Sequence, residues 1–208
     1  MMKGHELDQL LLTDTSYKET IDWMAALPDA APWQLWQQCP RGEWMLWAAG
    51  EAGVKADVLA PIAYRIADRA VRVTAVDALE AAGLTEQASD LRALAPITDT
   101  DSAGAARDAA LAVSDAAGSA AARDAAWAAR SAAGAASDAA GSAWDARSAA
   151  WAARAAARAA WDAGAAWDDG IAGRDAARAA EHRLQSRWVR EALPWPQVRE
   201  AMRASLGE

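Results

Sequence analysis

Trp127, Arg130, Gly134, Ser137, Gly141, Trp144, Arg147, Trp151, Arg154, Arg158 and Trp161 follow one another at steps of three and four. On a helix that spacing sets them on one stripe. An indole and a guanidinium one turn apart can stack, for about 0.5–1 kcal/mol at an exposed site. Trp and Arg are also enriched at binding hot spots. The chemistry open to the stripe is therefore recognition. Two roles compete: a packing seam between helices, or a face displayed to a partner. The candidate partner-binding residues are Trp144, Arg147, Trp151, Arg154, Arg158 and Trp161. For Trp151 the expectation is a seam, because alanine helices carry little apolar volume of their own.

A second set, Arg65, Arg69 and Arg72 with Asp68, lines one helix face at steps of three and four. It reads either as a solvated salt-bridge ladder or as a patch for an anion or acidic partner. Bond-making chemistry finds little support. His5 and His182 are far apart, and no His/Cys cluster has metal-ligand spacing. There is no glycine-rich phosphate loop and no nucleophile elbow. The aspartates of the second half mostly adjoin Arg or Ser, and acid–base work would need paired carboxylates in divergent environments. The expectation is a non-enzyme without cofactor or metal.

The stripe must be carried by the stretch from Ser102 to Arg183, which is roughly half alanine and holds no proline. Alanine has the best helix propensity, since it loses no side-chain entropy. Its text repeats in pieces: the string at 105–112 recurs at 121–128 with Trp127 in place of Leu111, and that at 114–120 recurs at 137–143. Gly/Ser clusters near Gly118, Gly134–Gly141 and Gly164–Gly173 set the breaks. A single rod of 80 residues would reach about 120 Å with nothing to cover its alanines. The stretch is expected to fold back as antiparallel helices.

The rest of the chain reads as helices too. Ser16 and Glu19 form a capping-box pattern for a helix over about 17–27, and Pro32 opens a short turn. Pro40 opens a helix carrying Trp44 and Trp47 that ends near Gly53. Residues 57–82 have Leu59, Ile62, Ile66, Val73, Val76 and Leu79 on one 3.6-period face, and Gly83 closes them. Thr85 begins a short helix to about Leu94. Asp and Thr residues at 98–101 are ready caps. A conventional helix over 178–193 and a last one over 197–206 complete the chain. No strand pattern survives. The fold class is all-α, an N-terminal helical bundle continuing into antiparallel Ala-rich helices. The organisation is an N-terminal region 1–97 and an Ala-rich region 98–208, packed together as one compact or solenoid-like unit.

The net charge of −8 disfavours non-specific nucleic-acid binding. The lone Cys39 fits a reducing compartment. The start, 1–12, lacks the apolar core of a signal peptide. No window reaches about 18 uncharged apolar residues, so a cytoplasmic protein without a membrane segment is expected.

Cys39-Pro-Arg-Gly-Glu-Trp44-Met-Leu-Trp-Ala-Ala-Gly50 is followed by Ala67-Asp-Arg-Ala-Val-Arg72, Ala78-Leu-Glu-Ala-Ala-Gly-Leu84 and Pro96-Ile-Thr-Asp99. The Ala tract and Arg187-Trp-Val-Arg-Glu-Ala-Leu-Pro194 come next. In this order they resemble the Imm-5-like immunity proteins of bacteria and bacteriophages. That family shares a Cys-x-x-x-x-Trp-hydrophobic element ahead of an Ala-rich tract. The resemblance implies a small intracellular binding protein that neutralises a protein partner, with no catalytic residues attached. A basic toxin would suit the net charge. The alternatives are a self-assembling structural protein that forms homo-oligomers through its alanine faces and, with little support, an ice-binding protein.

Overall fold

The computed structural model describes residues 15–139, 145–164 and 170–207, and all regular structure among them is helical. Contacts divide the chain after Cys39 into a short unit, 1–39, and a large one, 40–208. The division anticipated at 97/98 does not coincide with this boundary.

The short unit holds α1 (Thr15–Ala25) and α2 (Pro32–Gln38). Ser16 lies inside α1 and not at its cap. Pro32 opens α2 as expected, and the Gln34 amide oxygen accepts the Ala31 N–H at 2.7 Å.

The large unit begins with α3 (Gly42–Glu51) and α4 (Ala56–Arg69). α4 runs straight into a π-helical segment (Ala70–Ala75) and then α5 (Val76–Ala81). α6 (Thr85–Ala93), α7 (Thr100–Ala116) and α8 (Ala120–Asp138) follow. α9 (Asp145–Gly164), α10 (Gly170–Ala192) and α11 (Trp195–Leu206) complete it. Two caps act as the side chains suggest. Asp99 accepts the Ser102 N–H at 2.8 Å while Ser102 Oγ accepts the Asp99 N–H at 3.1 Å. Ser119 Oγ accepts the Ala122 N–H at 3.2 Å.

The alanine stretch folds back on itself. Ser114 Oγ donates to the Arg123 carbonyl at one end of the α7–α8 pair, and Ser137 Oγ donates to the Thr100 carbonyl at the other. That register is antiparallel. α9 and α10 are also antiparallel: Gly164 lies against Arg174, while Gln185 Nε2 donates to the Ala153 carbonyl at 3.0 Å. An added Cβ at Gly164 would stand 3.1 Å from the Arg174 Cα, so the glycine lets the two backbones approach.

α9 is the centre of the unit. It packs on α3, α4, the π segment, α5, α8 and α10. Ala149, Ala152, Ala153, Ala156, Ala159 and Ala163 are buried around it. Small side chains permit axial separations near the low end, ~8 Å. Each buried methyl is worth only ~0.8 kcal/mol, and the large apolar volume comes from elsewhere. Leu59, Ile62, Ile66, Val71, Val76 and Leu79 are buried on α4, the π segment and α5, with Val189 and Leu193 at the end of α10.

The π segment revises the 3.6-period reading of residues 57–82. Its i→i+5 turns hold more residues than α-turns, so the face rotates as it passes. Val71 and Thr74 turn inward, and Val73, expected in the core, is 38% exposed.

Candidate functional site

Trp127 on α8 and Trp151 on α9 line one groove of about 390 Å³. The groove's other residues are Asp124, Ala128 and Ser131 from α8 and Arg154, Ala155, Arg158 and Asp162 from α9. Because the helices are antiparallel, Asp124 comes to the end that holds Asp162. Both indoles are half in water, Trp127 at 51% and Trp151 at 53% exposure. The expectation of a buried seam at Trp151 is therefore overturned. α9 already packs its alanines among the surrounding helices, and the larger side chains of α4, α5 and α10 supply the volume that the indole was expected to add. α9 turns its smooth side inward and its rough side out.

Guanidiniums stack along this face. Arg130 lies 4.5 Å from the centroid of Trp127, Arg154 lies 5.4 Å from Trp151, and Arg158 lies 4.8 Å from Trp161. Arg174 of α10 reaches the same Trp161 ring at 5.0 Å, so this rung ties α9 to α10 and is the nearest to a seam. Arg147 is exposed on the stripe. Trp144 lies outside the described residues.

At one end of the groove Arg158 Nε donates to Asp162 Oδ2 at 2.8 Å. Asp162 is only 4% exposed. Burial raises its carboxyl pKa, the Arg158 hydrogen bond and charge oppose the rise, and Asp124 adds to it. The same hydrogen bond raises the Arg158 pKa. The site thus offers two indole walls, an alanine floor and a fixed ion pair. That arrangement can bind flat or apolar groups and can hydrogen-bond at one end.

The other arginine set is engaged elsewhere. Arg65 stacks on Trp188 at 4.2 Å and approaches Glu191 at 3.6 Å. Arg69 Nε donates to the buried Glu181 at 2.9 Å, and Arg72 donates to Asp68 at 3.2 Å. Each guanidinium thus has an acid of its own, as in a salt-bridge ladder, but two of the three acids sit on α10. Arg65 and Arg69 fasten α4 to α10, Arg72 pairs within its own continuous helix, and none of the three is gathered with the Trp stripe. Sequence reasoning places Trp127 at the head of the stripe but does not bring it into one groove with Trp151. Only the α8–α9 register does that, and periodicity along one helix carries no signal for it.

A buried polar layer lies under α10. Glu181, His182, Gln185 and Ser186 are all buried. Gln185 Nε2 donates to Glu181 Oε1 at 3.1 Å as well as to Ala153. His182 is driven down from its ordinary 6.5 to about 3, first by burial and then by Arg41 and Arg178. The imidazole is thereby held neutral. Among the described residues no group of His, Cys, Asp and Glu could hold a metal, and no helix is long and apolar enough to cross a membrane. Comparison with protein-family models, curated proteins and solved structures yields no match to this chain.

Proposed function

We propose that this chain is a non-enzymatic binding protein and that the groove between α8 and α9 receives a protein partner. The observation that carries this reading is the pair of half-exposed indoles facing one groove. A Trp of ~150–250 Å² left half in water forgoes roughly 2–3 kcal/mol of burial at about 25 cal/mol per Å². A partner that covers both rings recovers that free energy, and flanking arginines add stacking and hydrogen bonds. Trp and Arg clustered around a pocket are the composition of a hot spot. The Imm-5-like sequence resemblance supports a neutralising role, and the net charge of −8 favours a basic partner through steering.

The test is capture from a lysate of the host, using the full chain and its Trp127→Ala/Trp151→Ala double variant as baits. The captured protein is then purified and titrated against both. A partner that binds the wild type at least about a hundredfold more tightly than the variant supports the reading, since hot-spot truncations cost ≥2 kcal/mol each. Equal affinity for both would refute it. If the wild type instead captures only itself, and the double variant is monomeric, the groove serves self-association and the neutralising role falls.

A further inference from the structure

A second concavity, of about 530 Å³, opens between the π segment, the end of α9 and the middle of α10. Ligand pockets span about 300–1,000 Å³, so its size suits a small molecule. Ala160, Ala163, Ala177, Ala180 and Leu184 give it an apolar wall, and its polar groups are Arg69, Thr74, Asp77, Glu181, Arg183 and Arg187.

These polar groups are not equivalent. Arg69 and Gln185 both donate to Glu181, so that carboxylate is neutralised. Arg183 and Arg187 make no ion pair or side-chain hydrogen bond among the described residues, and both are exposed. They stand four residues apart on α10, one turn above the other, with about 5–6 Å between Cβ atoms. Like charges so placed repel by a few tenths of a kcal/mol. One carboxylate, Asp77, is left in the lining against two guanidiniums. Opposite them, the π segment brings Thr74 to the cleft and to 7% exposure. A π turn is rare and is frequent at functional sites. Here its effect is to put a hydroxyl-bearing side chain into the lining.

We infer that this cleft is a binding site for a small organic dianion, a phosphate ester or a dicarboxylate, whose acidic groups pair with Arg183 and Arg187 while its apolar body lies on the alanine wall. The inference goes beyond the proposed protein-binding role and shares no residue with the Trp groove.

The experiment is calorimetric titration of the full chain with phenyl phosphate and with phthalate. The wild type is compared with Arg183→Gln/Arg187→Gln and with the control Arg199→Gln/Arg203→Gln, which removes the same charge from α11. Exposed and unpaired, Arg183 and Arg187 can be changed without loss of fold, and unchanged circular dichroism verifies this. Saturable binding by the wild type is expected, weakened at least about tenfold in the first variant and within about twofold in the control. Binding of phenyl phosphate alone assigns a phosphate ester, and binding of phthalate alone assigns a dicarboxylate. Failure of the wild type to bind either probe overturns the inference, and so does equal weakening in the two variants. Neither result touches the Trp groove, which is tested by its own variants.

Discussion

Trp127 and Trp151 stand on antiparallel helices and line the same groove, each about half exposed. Between them the floor is alanine. The arrangement reverses the ordinary division of labour in an amphipathic helix: the smallest side chains form the core and the largest are left at the surface. A core of methyl groups must be packed closely to be worth anything, so its tolerance for added volume is low.

Substitution inside that core is the first expectation. Ala156 is fully buried on α9. Ala156→Leu adds apolar surface, which by transfer alone would stabilise. With no room for three more carbons it is expected to cost about 1–3 kcal/mol, as overpacking does. A urea midpoint that rises in this variant would show that the alanine faces are loosely apposed.

Gly42 at the start of α3 is a second close approach. A Cβ there would stand 2.7 Å from the Gln185 Cβ and 3.0 Å from the Gln185 carbonyl carbon. Backbone cannot step aside as a flexible side chain can. Gly42→Ala should therefore lower stability by about 2 kcal/mol, at the middle of the overpacking range, despite the better helix propensity of alanine. Gly104 has open space at the same point, and Gly104→Ala is expected to be neutral or stabilising. Thermal melts of the two variants moving together would contradict this.

Arg69 and Glu181 join residues far apart in sequence, and Glu181 is 3% exposed. Arg69→Ala leaves a buried carboxylate with only Gln185 as donor. Breaking a buried pair costs 3–5 kcal/mol; because the Arg69 side chain is itself 36% exposed, about 2–3 kcal/mol is expected. Arg72→Ala, which breaks an i,i+4 pair with Asp68, should cost under about 1 kcal/mol. Denaturant midpoints of the two variants in the opposite order would mean that the α4–α10 fastening is not where the structure puts it.

His182 sets a pH dependence. Unfolded, it titrates near 6.5; folded, near 3. Between those values the unfolded chain binds the proton and the folded one does not. Stability contributed by the neutral imidazole is thus complete above about pH 6.5 and drains away as pH falls towards 3. His182→Gln should show a shallower loss of melting temperature between pH 6.5 and 4 than the wild type. Parallel curves would remove His182 from the account.

Much of the fold is legible in the sequence because it rests on local rules. Alanine propensity, the Asp and Thr caps at 98–101 and the break near Gly118 place α7 and its reversal into α8 without reference to anything distant. Gly134 and Gly173, expected at breaks, lie instead inside α8 and α10, and α10 begins at Gly170, ahead of the expected 178. Two things are not local. The π segment at 70–75 has no signature in Ala-Val-Arg-Val-Thr-Ala, so Val73 is assigned to the core and Thr74 is overlooked. Likewise, a stripe on one helix does not say what lies opposite. Trp151 could be read as filler for a volume-poor core only while the contribution of Leu59, Ile66 and Leu79 to that same core was unseen. The polar cleft is illegible for the same reason, since Arg183 and Arg187 look like any solvated i,i+4 pair until Thr74 is placed across from them.

Replacement of Trp151 by alanine tests most directly whether the Trp/Arg stripe is a displayed face. Urea denaturation of the wild type and Trp151→Ala gives midpoint and slope, and hence stability. The account predicts an unchanged slope and a loss of at most about 1.5 kcal/mol, the sum of an ordinary surface substitution and one exposed indole–guanidinium stack. A loss of about 3–5 kcal/mol, as for truncation of a buried Trp, would contradict it and would make the stripe a structural seam.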